Sequence, residues 1–216
     1  MHIKKLAHCC LVIDIPSAHG KNVRILTDPG MYSLEQHDKV DGADIVLITH
    51  EHQDHFHIES LKALIKRCPD VSVISNDTVG ALLAKEGIEH RIMLDGNAIE
   101  AKGVKIEAHG SLHAVLHSSI PQSSNVGFLI DGKLFMPGDA YTDPKKPVDA
   151  LALPTAGPWM KMSEAIDYGL QLKPRIAFPV HDAMGSAFQN GFIGRILSQN
   201  GVEFVNLENG ASLDVA

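Results

Sequence analysis

Three histidines and an aspartate fall within six consecutive positions, in the order His50-Glu51-His52-Gln53-Asp54-His55. An apolar run at residues 44–49 directly precedes them and predicts a buried strand. In layered α/β folds, binding sites are commonly built where strands end. Ligand-type side chains this close together are costly to bury unless something binds them. The spacing therefore predicts a divalent metal site, and we expect a pair of ions.

Composition and charge narrow the class of protein. The chain has 216 residues, 44% of them hydrophobic and 21% charged, as in an ordinary globular protein. The net charge is −7 and no basic stripe is evident, so we expect no nucleic-acid partner. Three cysteines make a poor disulfide framework, and no run approaches the ~20 apolar residues of a membrane span. We expect a cytoplasmic protein with no membrane association.

The hydrophobic pattern predicts two similar halves. Strand-like runs cover residues 6–15, 23–27, 45–49 and 71–74 in the first half, and 104–113, 126–130, 134–136, 150–153 and 176–180 in the second. Helical periodicity covers residues 58–67, 78–85 and 163–172. No linker-like segment separates the halves, so we expect one domain over residues 1–216, with two sheet-plus-helix halves packed face to face.

Other predicted strands also run toward ligand-type residues. The strand from Val104 leads toward His113, the strand at 134–136 toward Asp139, and the strand at 176–180 to His181. With the first cluster they would complete a binuclear site of histidines and carboxylates, which zinc and its neighbours prefer. The spacing of His109, His113 and His117 by four leaves a helical zinc pair open as an alternative.

These residues carry a family resemblance. Residues 49–55 match the T-H-x-H-x-D-H signature of the metallo-β-lactamase superfamily, and His113, Gly138-Asp139 and Pro179-Val180-His181 follow in that superfamily's order. Within it, the chain resembles the branch that contains ascorbate-6-phosphate lactonase. That narrower likeness depends on Leu112-His113-Ala114, His117, Ile120-Pro121, Asn125-Val126-Gly127, Pro137-Gly138-Asp139 and Pro158-Trp159. The resemblance implies a four-layered αββα sandwich.

The resemblance also implies the ligand set. One metal would be held by His50, His52 and His113, and the other by Asp54, His55 and His181. Asp139 would bridge the two ions, and Asp28 would orient ligands by hydrogen bonding. Zinc is the first expectation for both ions, and manganese or iron fit the same residues. His117 and Trp159 would line the substrate pocket. For His8, a place at the rim of the site and a place in the core both stay open.

The implied activity is hydrolysis of a small ester, lactone or phosphodiester. Metal coordination can lower the pKa of water from ~15.7 to ~7, which makes hydroxide available at neutral pH. Asp54 would orient that hydroxide and pass its proton to the leaving group. Three alternatives remain: a metal-dependent nuclease acting on RNA or DNA, a redox or oxygen-handling protein that uses two irons, and a non-catalytic metal-binding scaffold. We expect a small-molecule substrate, and assembly into a homo-oligomer stays open.

Overall fold

The computed structural model describes residues 1–16 and 20–216. Its strands are β1 (His2–Ala7), β2 (Cys10–Ile15), β3 (Val23–Thr27), β4 (Ile45–Ile48), β5 (Ser72–Ser75), β6 (Arg91–Ile92), β7 (Ala98–Ala101), β8 (Val104–His109), β9 (Gly127–Ile130), β10 (Leu134–Met136), β11 (Ala150–Pro154), β12 (Ile176–Val180), β13 (Glu203–Phe204) and β14 (Ser212–Asp214). Its α-helices are α1 (Leu34–His37), α2 (Ile58–Arg67), α3 (Asp77–Lys85), α4 (Met162–Leu172) and α5 (Ala187–Gln199), and Met31–Ser33 forms a 3-10 turn before α1.

The strands form two seven-stranded sheets with the main core between them. The first sheet has the order β14-β1-β2-β3-β4-β5-β6, and the second has the order β13-β12-β11-β10-β9-β8-β7. The core between the sheets takes Ile13 and Ile25 from the first and Phe128 and Phe178 from the second. The helices α2 and α3 pack on the outside of the first sheet, and α4 and α5 on the outside of the second. The predicted four-layered αββα sandwich is therefore confirmed.

Alternation along the strands explains why this sequence needs helices on both outer faces. In β4, Ile45 and Leu47 enter the core between the sheets, whereas Val46 and Ile48 pack against the helix layer. Successive side chains of a strand point to opposite faces, so a strand buried on both sides reads as a continuous apolar run. The order of the strands also positions the polar residues of the candidate site. The strands β3, β4 and β5 are parallel, as are β10, β11 and β12, and their carboxyl ends bear the polar residues described below.

Two strand predictions are corrected by the structure. The run at 6–15 forms a hairpin of β1 and β2 rather than one strand, because His8 adopts a left-handed conformation with φ of 55° and turns the chain. The strand from Val104 ends at His109 because Gly110 adopts φ of 79°; beyond it only an isolated bridge joins Leu112 to Ser124. His113 therefore lies in a loop, and the helical alternative for this segment is excluded.

Helix α5 is absent from the sequence-based prediction. Its first eight residues include Asn190, Gly191 and Gly194, which lower helix propensity and interrupt the apolar pattern. Gly194 lies against the ring of Phe204, where a Cβ would come within 2.4 Å of a ring carbon, so this glycine permits close packing. Of the helices in the described residues, none has the length and apolar character to span a bilayer.

Candidate metal centre

The histidine-rich loop connects β4 to α2 and is held in place by the loop that follows β3. Met31 N–H donates to the carbonyl of Gln53 at 2.8 Å, and His57 N–H donates to the carbonyl of Pro29 at 3.1 Å. Gly30 lies so close to this loop that a Cβ there would be 2.0 Å from the carbonyl oxygen of Asp54. Only glycine permits this approach, which places the loop between the carboxyl ends of the two sheets.

The first set of donor atoms comes from His50, His52, His113 and Asp139. One ligand atom from each of these residues lies within 4.8 Å of all the others. His50 Nε2 is 3.1 Å from His52 Nδ1, and His113 Nε2 is 3.3 Å from Asp139 Oδ2. Three separate chain segments therefore supply one compact group of three imidazoles and a carboxylate.

A second set of donor atoms adjoins the first and comes from His8, Asp54, His55 and His181. Asp54 Oδ2 is 3.3 Å from His181 Nε2, 3.6 Å from His55 Nε2 and 3.2 Å from His8 Nε2. This set again consists of three imidazoles and one carboxylate. Residues from β4's loop, from the β1–β2 turn and from the end of β12 meet here.

Asp139 lies between the two sets. Its Oδ1 is 3.0 Å from His55 Nε2, and its Oδ2 is 2.9 Å from His181 Nε2. Trp159 Nε1–H donates to Oδ2 at 2.8 Å, and the backbone N–H of Asp139 donates to Asn125 Oδ1 at 3.0 Å. The carboxylate is thus fixed where it faces donors from both sets, as a bridging ligand would be.

The donor atoms fit divalent metal ions in spacing and in chemistry. Tetrahedral zinc with Zn–N bonds of ~2.0–2.1 Å places its ligand atoms about 3.3 Å apart, and the contacts above range from 2.9 to 3.6 Å. Buried polar atoms normally have hydrogen-bond partners. In the described part of the chain, the buried atoms without one include His55 Nε2, His113 Nε2, His181 Nε2 and Asp139 Oδ1. All four atoms face this centre, as expected of ligands.

Hydrogen bonds at the opposite ring nitrogens orient these three imidazoles. His113 Nδ1–H donates to the carbonyl of Ala114 at 2.6 Å, and His181 Nδ1–H donates to the carbonyl of Ala156. His55 Nδ1–H donates to Asp28 Oδ2 at 2.9 Å. Each bond fixes the tautomer that leaves the Nε2 lone pair free for a metal.

Asp28 is fully buried at the end of β3 and holds the start of the histidine-rich loop. Its Oδ1 accepts the backbone N–H of Thr49 at 2.8 Å, and its Oδ2 accepts the Thr49 hydroxyl at 2.9 Å as well as His55 Nδ1–H. The structure therefore places Asp28 where it can orient His55 without facing the cavity itself.

The electrostatics of the cluster favour a bound cation. Burial lowers the pKa of His50 and of His52, which holds both imidazoles in the neutral, metal-binding form. Burial works to raise the pKa of Asp139, but the pKa lies well below its usual range because His55 and other histidines face the carboxylate. Burial also works to lower the pKa of His181, yet the adjacent carboxylates of Asp139 and Asp54 raise that pKa to about 9. The ionised carboxylates thus require positive charge beside them, which a divalent ion supplies while displacing histidine protons.

His8 lies inside this centre. It therefore occupies neither the exposed rim nor the apolar core, the two positions that the sequence left open. Its side chain is 1% exposed, and Ala183 N–H donates to its Nδ1 at 3.4 Å. This bond assigns the ring proton to Nε2, which then donates to Asp54 Oδ2 at 3.2 Å. Burial lowers the pKa of His8 and keeps the ring neutral. With both ring nitrogens engaged in this way, His8 is not a metal ligand of the second set but a hydrogen-bond donor that orients Asp54.

The centre opens to solvent through a cavity of about 320 Å³. The described residues that line it are Met31, Tyr32, His52, Gln53, Asp54, His113, Leu116, Asp139, Pro158, Trp159, His181 and Met184. Trp159 lines this cavity, as expected from the sequence, and is 8% exposed. His117 does not: it lies on the exposed loop, where its Nδ1 faces the hydroxyl of Ser119 at 2.7 Å.

The geometry agrees with the relationship of the whole chain to known proteins. A family model described as the beta-lactamase superfamily domain matches residues 2–181. The chain belongs to the metallo-β-lactamase superfamily.

Two curated relatives and one solved structure are similar to this chain over 64% to 94% of its length. A protein of Mycobacterium tuberculosis is 31% identical over 210 residues, which cover 94% of this chain and 95% of its own. A UPF0173 metal-dependent hydrolase of Thermoplasma acidophilum is 27% identical and covers 64% of this chain and 65% of its own. The solved structure of a metal-dependent hydrolase from Parabacteroides distasonis has a TM-score of 0.76 at 24% identity, covering 94% of this chain and 90% of its own. The narrower likeness to ascorbate-6-phosphate lactonase stays a prediction.

Two residues that support this metallo-β-lactamase-type centre were not identified from the sequence. Lys5 is fully buried; its Nζ donates to the carbonyl of Pro179 at 2.8 Å and to Asp182 Oδ2 at 2.6 Å, which ties β1 to the segment that carries His181. Strand alternation contained the signal, since Lys5 shares a strand face with the core residue Ile3. In the sequence, Asn125 contributes only to the narrower likeness, and its role in holding Asp139 was not predicted.

Proposed function

We propose that this protein is a hydrolase that uses two divalent cations held side by side at the carboxyl ends of its two sheets. The observation that carries the proposal is the pair of adjacent donor sets that share Asp139, with unpaired buried Nε2 atoms facing both. His50, His52 and His113 would hold one ion, and Asp54, His55 and His181 the other. Zinc suits this mixture of imidazole and carboxylate, and manganese or iron fit it as well.

The protein's own groups position and protonate the reactants. Bound divalent ions supply Lewis acidity and lower the pKa of water to ~7. The Asp54 side chain is 23% exposed and lines the cavity, so it can orient an attacking water and carry a proton to the leaving group. His8 donates a hydrogen bond to Asp54 and Trp159 donates one to Asp139, so both carboxylates keep their orientation as charge develops.

The cavity favours a small substrate, with an ester, lactone or phosphodiester as the bond that is cleaved. About 320 Å³ accommodates a small molecule or one arm of a larger one. Nuclease activity has less support, because the described lining residues include no lysine or arginine to contact a phosphate backbone. A non-catalytic scaffold has less support too, since the donor sets are complete and open to solvent.

The test combines metal content with hydrolysis. The purified protein, loaded with zinc or manganese, is assayed on ester, lactone and phosphodiester substrates beside His52→Ala and His2→Ala. The matched control is His2, an exposed histidine on β1 that is paired with Asp214. We expect His52→Ala to lose at least about 100-fold in kcat/KM together with part of its metal, and His2→Ala to keep both. Full activity in His52→Ala, or no bound metal in the native protein, would refute the proposal.

A further inference from the structure

A second cavity adjoins the metal centre, and its lining is uncharged. This groove has a volume of about 550 Å³ and is lined by Ala156, Gly157, Pro158, Met160, Met162, Met184, Ser186, Phe188 and Gln189. Pro158 and Met184 also line the cavity over the metal centre, so the two spaces meet there. No lysine, arginine, aspartate or glutamate occurs among these described residues.

The side chains of this groove leave unusually large apolar surfaces in solvent. Phe188 is 77% exposed and Met184 is 55% exposed. Met31 and Tyr32, which line the metal cavity, are 47% and 49% exposed. Single exposed apolar residues are common, but several grouped around one opening mark a binding surface. Methionine suits such a surface because its flexible thioether adapts to an apolar ligand.

From these observations we infer that the substrate is an uncharged ester or lactone whose apolar acyl or alkyl arm lies in the methionine-rich groove. This inference rests on the proposed function and names the substrate class for the same site. The scissile carbonyl would lie at the metal centre, and the arm would pass Pro158 and Met184 to reach Phe188. Apart from the proposed ions, the described lining of the two cavities offers no lysine or arginine to contact a phosphate, whereas the uncharged groove suits an apolar arm.

A homologous series of p-nitrophenyl esters tests the inference. The acyl chain is lengthened from two to twelve carbons and kcat/KM is measured on the zinc-loaded protein. A fully buried methylene contributes ~0.8 kcal/mol, or about fourfold, and a half-buried one about twofold. We expect kcat/KM to rise about two- to fourfold per methylene until the groove is filled. Octanamide should bind more tightly than acetamide by calorimetry, with a negative heat-capacity change.

The matched variants are Phe188→Glu and Leu94→Glu. Phe188 lines the groove, whereas Leu94 is a similarly apolar residue, 50% exposed, on the segment between β6 and β7 and away from both cavities. Phe188→Glu should lower the ratio of octanoate to acetate kcat/KM at least about tenfold, because the arm would then pass a carboxylate. Leu94→Glu should keep the ratio of the unsubstituted protein.

The outcomes separate this inference from the proposed function. Two results would overturn the inference and leave the hydrolase proposal standing. One is metal-dependent hydrolysis that is equally fast for all acyl chain lengths, and the other is faster hydrolysis of bis(p-nitrophenyl) phosphate than of the octanoate ester. Absence of both metal and hydrolysis would overturn the hydrolase proposal itself. The inference would also be overturned if the protein is a dimer that Phe188→Glu dissociates and kcat/KM does not change with acyl chain length. This result would assign the groove to a second copy of the chain.

Discussion

Replacement of Lys5 by methionine should destabilise the fold although it adds no cavity. The Lys5 ammonium is fully buried and pairs with the Asp182 carboxylate at 2.6 Å, while that carboxylate is 17% exposed. Removing one partner of a buried ion pair costs ~3–5 kcal/mol because the other charge stays behind unpaired. Solvent and Asn190, whose Nδ2 lies 3.4 Å from Asp182 Oδ2, partly compensate here. We therefore expect a loss of about 2–3 kcal/mol in the free energy of unfolding.

Urea unfolding of chelator-treated protein measures this loss, with Lys4→Met as the matched control. Lys4 is the preceding residue of β1 and is exposed, so its replacement should change stability by less than about 0.5 kcal/mol. The double variant Lys5→Met with Asp182→Asn should recover about 1–2 kcal/mol, because no unpaired charge then remains. Equal stability of Lys5→Met and Lys4→Met would refute the assignment of Lys5 as the tie between β1 and β12.

Three further predictions concern groups around and away from the centre. Asp28→Asn should weaken metal affinity about 10–100-fold in a chelator competition, since His55 loses its orienting carboxylate; unchanged affinity would contradict this role. His8→Leu should lower kcat/KM about 10–100-fold by removing a hydrogen bond to a charged group, with partial rescue in His8→Gln; equal rates in both variants would argue against donation to Asp54. Burial lowers the pKa of His37 to about 4, so the unfolded chain protonates first as pH falls from 6.5. The free energy of unfolding should thus fall by about 1–2 kcal/mol by pH 5, allowing for solvent screening. The same fall in His37→Gln would contradict the assignment of this loss to His37.

The sequence predicts the parts of this molecule whose signals are local. The helical period of the apolar residues in 58–67 predicts α2 with the bounds that it has in the structure, Ile58–Arg67. The histidine-rich motif lies at a strand end in the structure, as predicted. The apolar run that predicts a buried strand forms β4, which ends at Ile48, and the motif follows directly. Asp139 and His181 are brought to the same place by the parallel register of β10, β11 and β12.

The unpredicted parts depend on long-range packing. The turn at His8 shows no glycine or proline, and its left-handed backbone is stabilised by contacts with Asp54 and Ala183 that lie far away in the chain. The loop that carries His113 forms beyond Gly110 because the chain there bonds to residues 123 and 139 instead of continuing β8. Neither contact is visible from spacing.

Anomalous diffraction from crystals of the metal-loaded protein tests the central claim most directly. The proposed function predicts two peaks about 3.5–4 Å apart, one bonded to His50, His52 and His113 and the other to Asp54, His55 and His181, with Asp139 contacting both. A single peak, or an Asp139 carboxylate that contacts neither ion, would contradict the binuclear centre.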